Sequence, residues 1–231
     1  MPERLLNDPE RYALANELHS RPFPSLAAPC RAIHIAIRPG AGEKRDHAAD
    51  RDRLIDLIDR FGGTHPKPGA AFYSGKLGRF ELKWEAHTEF VSYTLFVSET
   101  DGDPFAGDAV AHFPEDWLRS VEGDVMAAAQ VHVAAADSEA EAEAFYRDKL
   151  HPRFVSESLA TAYVVDREAL VCSDFRLHED GFARIGVVAI HGIGPRRLGR
   201  IVQRLLEIES YKSLALRTLP VARRVARRVT E

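Results

Sequence analysis

The order in which strand-like and helix-like segments follow one another constrains this chain more than any single motif. Cys30 to Arg38 alternates around Ile33, Ile35 and Ile37, which predicts a strand with one buried face, ended by Pro39-Gly40-Ala41-Gly42. Leu54, Leu57, Ile58 and Phe61 then recur at helical spacing, with Gly62-Gly63 as the stop. From about Ala70 to Val97 the sequence is β-rich, with a turn at Lys76-Leu77-Gly78. Phe80, Leu82 and Trp84 alternate with Glu81, Lys83 and Glu85, so one face reads as buried and the other as wet. The run from Arg79 to Val97 exceeds one ordinary strand, which places a bend or bulge near Ala86 to Thr88.

The second half follows the same plan. After a loop at Asp101 to Gly107 and a short helix over Pro114 to Val121, Val125 to Ala135 reads as a strand. Ser138 with Glu141 forms a capping-box signature for a helix reaching Leu150. Strands follow at about 159–165, 169–178 and 182–190, separated by polar turns. Two units, about residues 30–98 and 124–190, thus repeat the order strand, helix, several strands. The expected fold is α+β: a largely antiparallel sheet built from two pseudo-repeated strand-helix-strands units, helices on one face, and a long C-terminal helix. Residues 1–194 are expected to form the globular domain, including a first helix that opens at Asp8-Pro9-Glu10 and runs to about His19. Residues 195–231 are expected to form a long basic amphipathic helix, kinked at Pro220.

Composition narrows the function classes. With 231 residues, 45% hydrophobic and 29% charged, the chain can bury a substantial core, which excludes collagenous and low-complexity chains. Cys30 and Cys172 are too few for a structural zinc site, and with no apolar leader at the N-terminus they read as reduced thiols in a soluble, cytoplasmic setting. The net charge of −4 gives no reason to expect a specific nucleic-acid partner. Its distribution is uneven: residues 99–148 carry 13 acidic and 2 basic side chains, whereas residues 149–231 carry 9 and 15.

Chemistry-bearing residues concentrate in Trp84-Glu85-Ala86-His87-Thr88-Glu89-Phe90. In extended geometry Glu85, His87 and Glu89 share a face, suited to acid/base or binding chemistry; the competing reading is a solvated strand face. His34 and His132 sit mid-strand at comparable places in the two units, where a metal role is the weaker reading and a structural role the stronger. Gly192-x-Gly194 next to a helix start lacks the third glycine of a dinucleotide site, and plain turn chemistry accounts for it. No nucleophile, metal or nucleotide motif is present, and no cofactor is indicated. On the terminal helix, Leu198, Ile201, Leu205, Ile208, Lys212, Ala215 and Leu219 form a 3-4 stripe able to pack on the sheet or on a second copy. Beyond it, Arg217, Arg223, Arg224, Arg227 and Arg228 suit an acidic partner or an anionic lipid surface.

Four separated segments, in order, carry a resemblance. Glu17-Leu18-His19-Ser20-Arg21-Pro22, the Trp84–Phe90 segment, Asp174-Phe175-Arg176, and Gly199-Arg200 through Gln203 to Tyr211 resemble a bacterial family of predicted membrane-anchored proteins carrying a domain of unknown function. The resemblance spans essentially the whole chain. It implies an N-terminal soluble portion on the cytoplasmic face of the inner membrane, with the terminal helix continuing into coiled-coil-like sequence and membrane spans. It brings no activity or cofactor with it. Two readings follow. One is a non-enzymatic, membrane-associated module that binds a protein or small ligand, with a homodimer through the C-terminal helix as a further option. The other is an enzyme or metal-dependent binding domain using the Glu85/His87/Glu89 face with His19 and Arg21. The candidate binding residues are His19, Arg21, Trp84, Glu85, His87, Glu89, Asp174 and Arg176, with no metal ligand assigned.

Overall fold

The computed structural model describes residues 22–40, 42–98, 103–220 and 223–225. Within these residues eight strands form one sheet: β1 Cys30–Arg38, β2 Phe72–Leu77, β3 Phe80–Ala86, β4 Val91–Val97, β5 Asp124–Ala136, β6 Ala160–Val164, β7 Ala169–Leu177 and β8 Ala183–Ile190. Among the described residues four α-helices accompany them: α1 His47–Arg60, α2 Glu115–Ser120, α3 Glu139–Phe145 and α4 Pro195–Leu216. The strand order is β2-β3-β4-β1-β5-β8-β7-β6, and among these neighbours only β5 and β8 run parallel. The fold is therefore the expected α+β class, with a mostly antiparallel sheet and a long C-terminal helix.

The two units do repeat their strand order. Read outward from the centre, one half is β1-β4-β3-β2 and the other β5-β8-β7-β6. Strand direction does not repeat, because β1 and β4 are antiparallel where β5 and β8 are parallel. The difference arises in the connections. After α1 the Gly- and Pro-rich segment 62–71 delivers the chain to a β2 that runs opposite to β1. The short helical turns after α3 instead deliver it to a β6 that runs parallel to β5.

Each sheet face is covered, which corrects the expectation of helices on one face only. Ile33, Ile35 and Ile37 point to the side where Leu54, Leu57 and Ile58 of α1 and Trp117 of α2 form the core with Leu82, Trp84 and Tyr93. On that same side α3 contributes Ala142, packed with Ala134, Leu150 and Val188. Ala32, Val131, Val133, Ile185 and Val187 point to the other side, against Leu198, Ile201, Val202 and Leu206 of α4. Consequently β1 is buried on both faces from Cys30 to Ile37 rather than on one. Likewise the side of β3 expected to be wet is not: Lys83 and Glu85 lie under α4.

Local signals explain the boundaries. Asp46 caps α1, accepting from the N–H groups of Ala48 and Ala49 at 2.9 and 3.1 Å, and Gly62 at φ 69° follows its end. Ser138 Oγ accepts from the N–H of Glu141 at 3.2 Å, while the Glu141 carboxylate reaches back to the N–H of Asp137. Between β3 and β4 the expected bend is a full reversal, closed by the N–H of His87 donating to the Phe90 carbonyl at 2.9 Å. The helix expected from Pro195 onward breaks at Arg217, three residues before Pro220, because a proline cannot donate to the carbonyl four residues back and crowds it. The contact stripe also differs from the 3-4 pattern. Leu198, Val202, Leu206 and Ser210 face the sheet, whereas Ile208 is 59% exposed, since a 3.5-residue repeat drifts around a straight helix.

Gly199, two positions late for a nucleotide loop, has a packing role. A Cβ there would overlap the carbonyl oxygen of Pro24, and the N–H of Leu26 donates to the Pro195 carbonyl at 3.1 Å, so the segment before β1 lies against the start of α4. We predict that Gly199→Ala lowers stability by about 1–3 kcal/mol through this overlap, read as a lower urea midpoint. Gly194→Ala, with open space around its Cβ, should cost about 1 kcal/mol or less. Equal midpoints for the two variants would contradict the packing.

Candidate functional site

A buried polar constellation lies between the sheet and the second half of α4. Strand register builds its floor. His34, Thr94 and Lys83 stand side by side on β1, β4 and β3, and Ala36, Ser92 and Glu85 form the next row. All of these residues are buried. The roof is α4, which presents Gln203, Ser210 and Tyr211 at spacings that return to one helix face. A cavity of about 20 Å³ remains between them, room for one water and not for a metabolite.

Hydrogen bonds fill this interface. Lys83 Nζ donates to Glu85 Oε1 at 2.8 Å and to Gln203 Oε1 at 2.7 Å, and Gln203 Nε2 donates to Glu207 Oε1 at 2.8 Å. The Lys83 and Glu85 side chains are only 4% and 8% exposed, so each charge depends on its partners rather than on water. His87 Nδ1 lies 3.0 Å from the Tyr211 hydroxyl, and its ring stacks on Phe90 with centroids 4.0 Å apart.

His34 bridges strand and helix. Its Nδ1 lies 2.8 Å from Thr94 Oγ1 and its Nε2 lies 2.9 Å from Ser210 Oγ. The Ser210 hydroxyl donates its proton to the Leu206 carbonyl at 2.9 Å, so it accepts from His34, which places the imidazole proton on Nε2 and leaves Nδ1 to accept from Thr94. Burial, reinforced by the Lys83 charge, pushes the His34 pKa down to about 3. The ring is therefore neutral and serves as a fixed relay between two hydroxyls.

The expected site residues separate into three groups. Glu85 and His87 come together at this cavity. Trp84 does not join them: alternation turns it to the opposite face of β3, into the core with Leu54 and Tyr93. Glu89 does not join them either, because the reversal after Ala86 ends the extended geometry that would align it with Glu85, and it is exposed. Asp174 and Arg176 occupy a bulge on β7 where Phe175 adopts φ 57°. The Asp174 carboxylate accepts from the N–H groups of Val155 and Arg176 at 2.9 and 3.2 Å, and Arg176 Nε donates to Ser158 Oγ at 2.7 Å. This pair pins the 155–158 turn to β7. His19 and Arg21 lie outside the described residues.

His34 and His132 do not share a site. His34 faces α4, whereas His132 faces the other side of the sheet, stacked on Phe145 at 6.0 Å. Cys30 and Cys172 are free, buried in cores on opposite faces, and burial pushes both thiols up to about 12. Among the described residues, no group of three or more His, Cys, Asp or Glu is placed to hold a metal ion. Sequence reasoning missed Lys83, Gln203 and Ser210. The available signal was a run of polar residues, Gln203, Glu207, Ser210 and Tyr211, at helical spacing within an otherwise apolar contact face.

The relay has a pH signature. Unfolded, His34 titrates near 6.5; folded, near 3. Its contribution to stability is therefore full above pH 6.5 and is lost as pH falls from 6.5 toward 3. We predict that this group alone makes the domain about 2 kcal/mol less stable at pH 5 than at pH 8. Denaturant titrations of the wild type and His34→Gln at both pH values should differ by that amount; an identical pH dependence would contradict the buried neutral imidazole.

Comparison with known proteins adds a family and nothing more specific: no curated protein matches this chain, and no solved structure does. Residues 7–231 match the family model described as Protein of unknown function (DUF3422). With nearly its whole length matched, the chain belongs to that family.

Proposed function

We propose that the chain is the non-enzymatic head of a membrane-associated protein, a cytoplasmic ligand- or protein-binding domain in which α4 links the head to the bilayer. One observation carries the reading. The buried polar cluster around Lys83 and His34 is closed by the protein's own helix around about 20 Å³, so its hydrogen-bonding capacity holds α4 rather than receiving a substrate. Past Leu216 the exposed Arg217, Arg223 and Arg224 give the helix exit a basic surface suited to anionic headgroups. Ile208, Leu216 and Leu219 remain exposed along and beyond α4, the side that a second copy would use. No helix among the described residues is long and apolar enough to cross a membrane, so on this reading the span itself belongs to other segments.

The enzymatic alternative retains one supporting observation, the convergence of Glu85 and His87 beside Lys83 and His34. It requires α4 to lift before a substrate could enter. Fractionation of the full natural reading frame expressed in bacteria tests the tether. The proposal predicts recovery in the membrane pellet that persists after a high-salt wash, whereas recovery in the soluble fraction would overturn it.

A further inference from the structure

A second polar cavity, of about 70 Å³, lies on the α1 side of the sheet, where β1 ends and α1 begins. Its chemistry is the reverse of that under α4. The Arg45 side chain is 7% exposed, and its Nε donates to Asp50 Oδ2 at 2.6 Å, yet Nη1 and Nη2 are buried with no acceptor. Arg38 Nη1 is likewise buried without a hydrogen-bond partner, 3.7 Å from the nearest Asp124 oxygen. Gly123 at φ 108° packs against the Arg38 carbonyl, where a side chain would collide, and so brings β5 close to this corner.

The carboxylates around the cavity are already engaged. Asp50 accepts from Arg45 and from Arg53 Nη1 at 3.3 Å, and Asp46 caps α1. Glu43 accepts from the N–H of Gly40 at 3.2 Å, and Glu122 accepts from Arg53 Nη2 at 2.7 Å. What remains uncommitted is donor capacity on planar guanidinium groups, a type that a buried site does not leave unmatched without cost. We propose that this cavity binds a small phosphate-type oxyanion, held by the Nη1 and Nη2 pair of Arg45, with Arg38 on the cavity wall beside them. The fork geometry of arginine suits such a group, and the volume admits one tetrahedral oxyanion but not a nucleotide. The inference stands apart from the tether reading, because no residue of α4 lines this cavity.

Calorimetric titration of the 231-residue chain with inorganic phosphate, at constant ionic strength set by chloride, tests it. The expected result is one saturable site, weakened roughly tenfold or more in Arg45→Lys and in Arg38→Gln. Arg45→Lys keeps a cation beside Asp50 but loses the fork; Arg38→Gln leaves the Asp50 contacts untouched, so it serves if the first variant does not fold. Vesicles containing phosphatidic acid that displace the bound phosphate would assign the site to a headgroup, and failure to displace it would assign the site to a free ion; either supports the oxyanion site. Absence of saturable binding to the wild type, or binding unchanged in folded Arg38→Gln, would overturn it.

Discussion

A lysine ammonium buried beneath a helix sets the terms for the α4 side of this domain. Lys83 sits in the middle of β3, 4% exposed, and such a charge is tolerable only where acceptors stand ready. Glu85 supplies one from the same strand and Gln203 supplies another from α4, 120 residues away. A buried ion pair of this kind adds little net stability over an apolar pair of the same size. Losing one partner costs about 3–5 kcal/mol, however, so wrong placements of the helix are penalised heavily. The helix is thereby held in one register on the sheet.

The remaining contacts of α4 support that register by different means along its length. Near its start the fit is steric and apolar, with Gly199 against Pro24 and with Leu198, Ile201 and Val202 over Val131 and Val187. Farther along, Ser210 meets His34 and Tyr211 meets His87 through hydrogen bonds, beside a smaller apolar seat in which Tyr211 and Leu214 pack on Ala36, Phe90 and Ala127. The opposite face of the sheet is built differently, from Leu54, Leu57, Trp84, Tyr93 and Trp117, large side chains that fill space without directional demands. One face therefore supplies most of the large apolar volume, and the other orients a helix.

Much of the fold was legible because it is local. Period-two alternation at Phe80, Leu82 and Trp84, helical spacing at Leu54, Leu57 and Ile58, and the Ser138 cap each describe neighbours in sequence, and each holds in the structure. The same alternation misled where burial depends on a distant element. Lys83 and Glu85 look solvated from within β3, and only α4 makes them interior. Strand direction in the two units also escaped, since identical element orders are compatible with either sense of the connecting segment. Of the candidate residues, Glu85 and His87, two positions apart in the chain, line the same cavity. Trp84 and Glu89 were separated from them by the pleat and by the reversal at His87–Phe90.

Hydrogen–deuterium exchange along α4 tests most directly whether polar contacts under its second half hold it to the sheet. Comparison of the wild type with Lys83→Met removes the ammonium while keeping a side chain of similar reach. The account predicts faster amide exchange from Gln203 to Leu216, with residues 195–202 still protected by their apolar seat. Unchanged exchange across α4 in a folded Lys83→Met variant would contradict it.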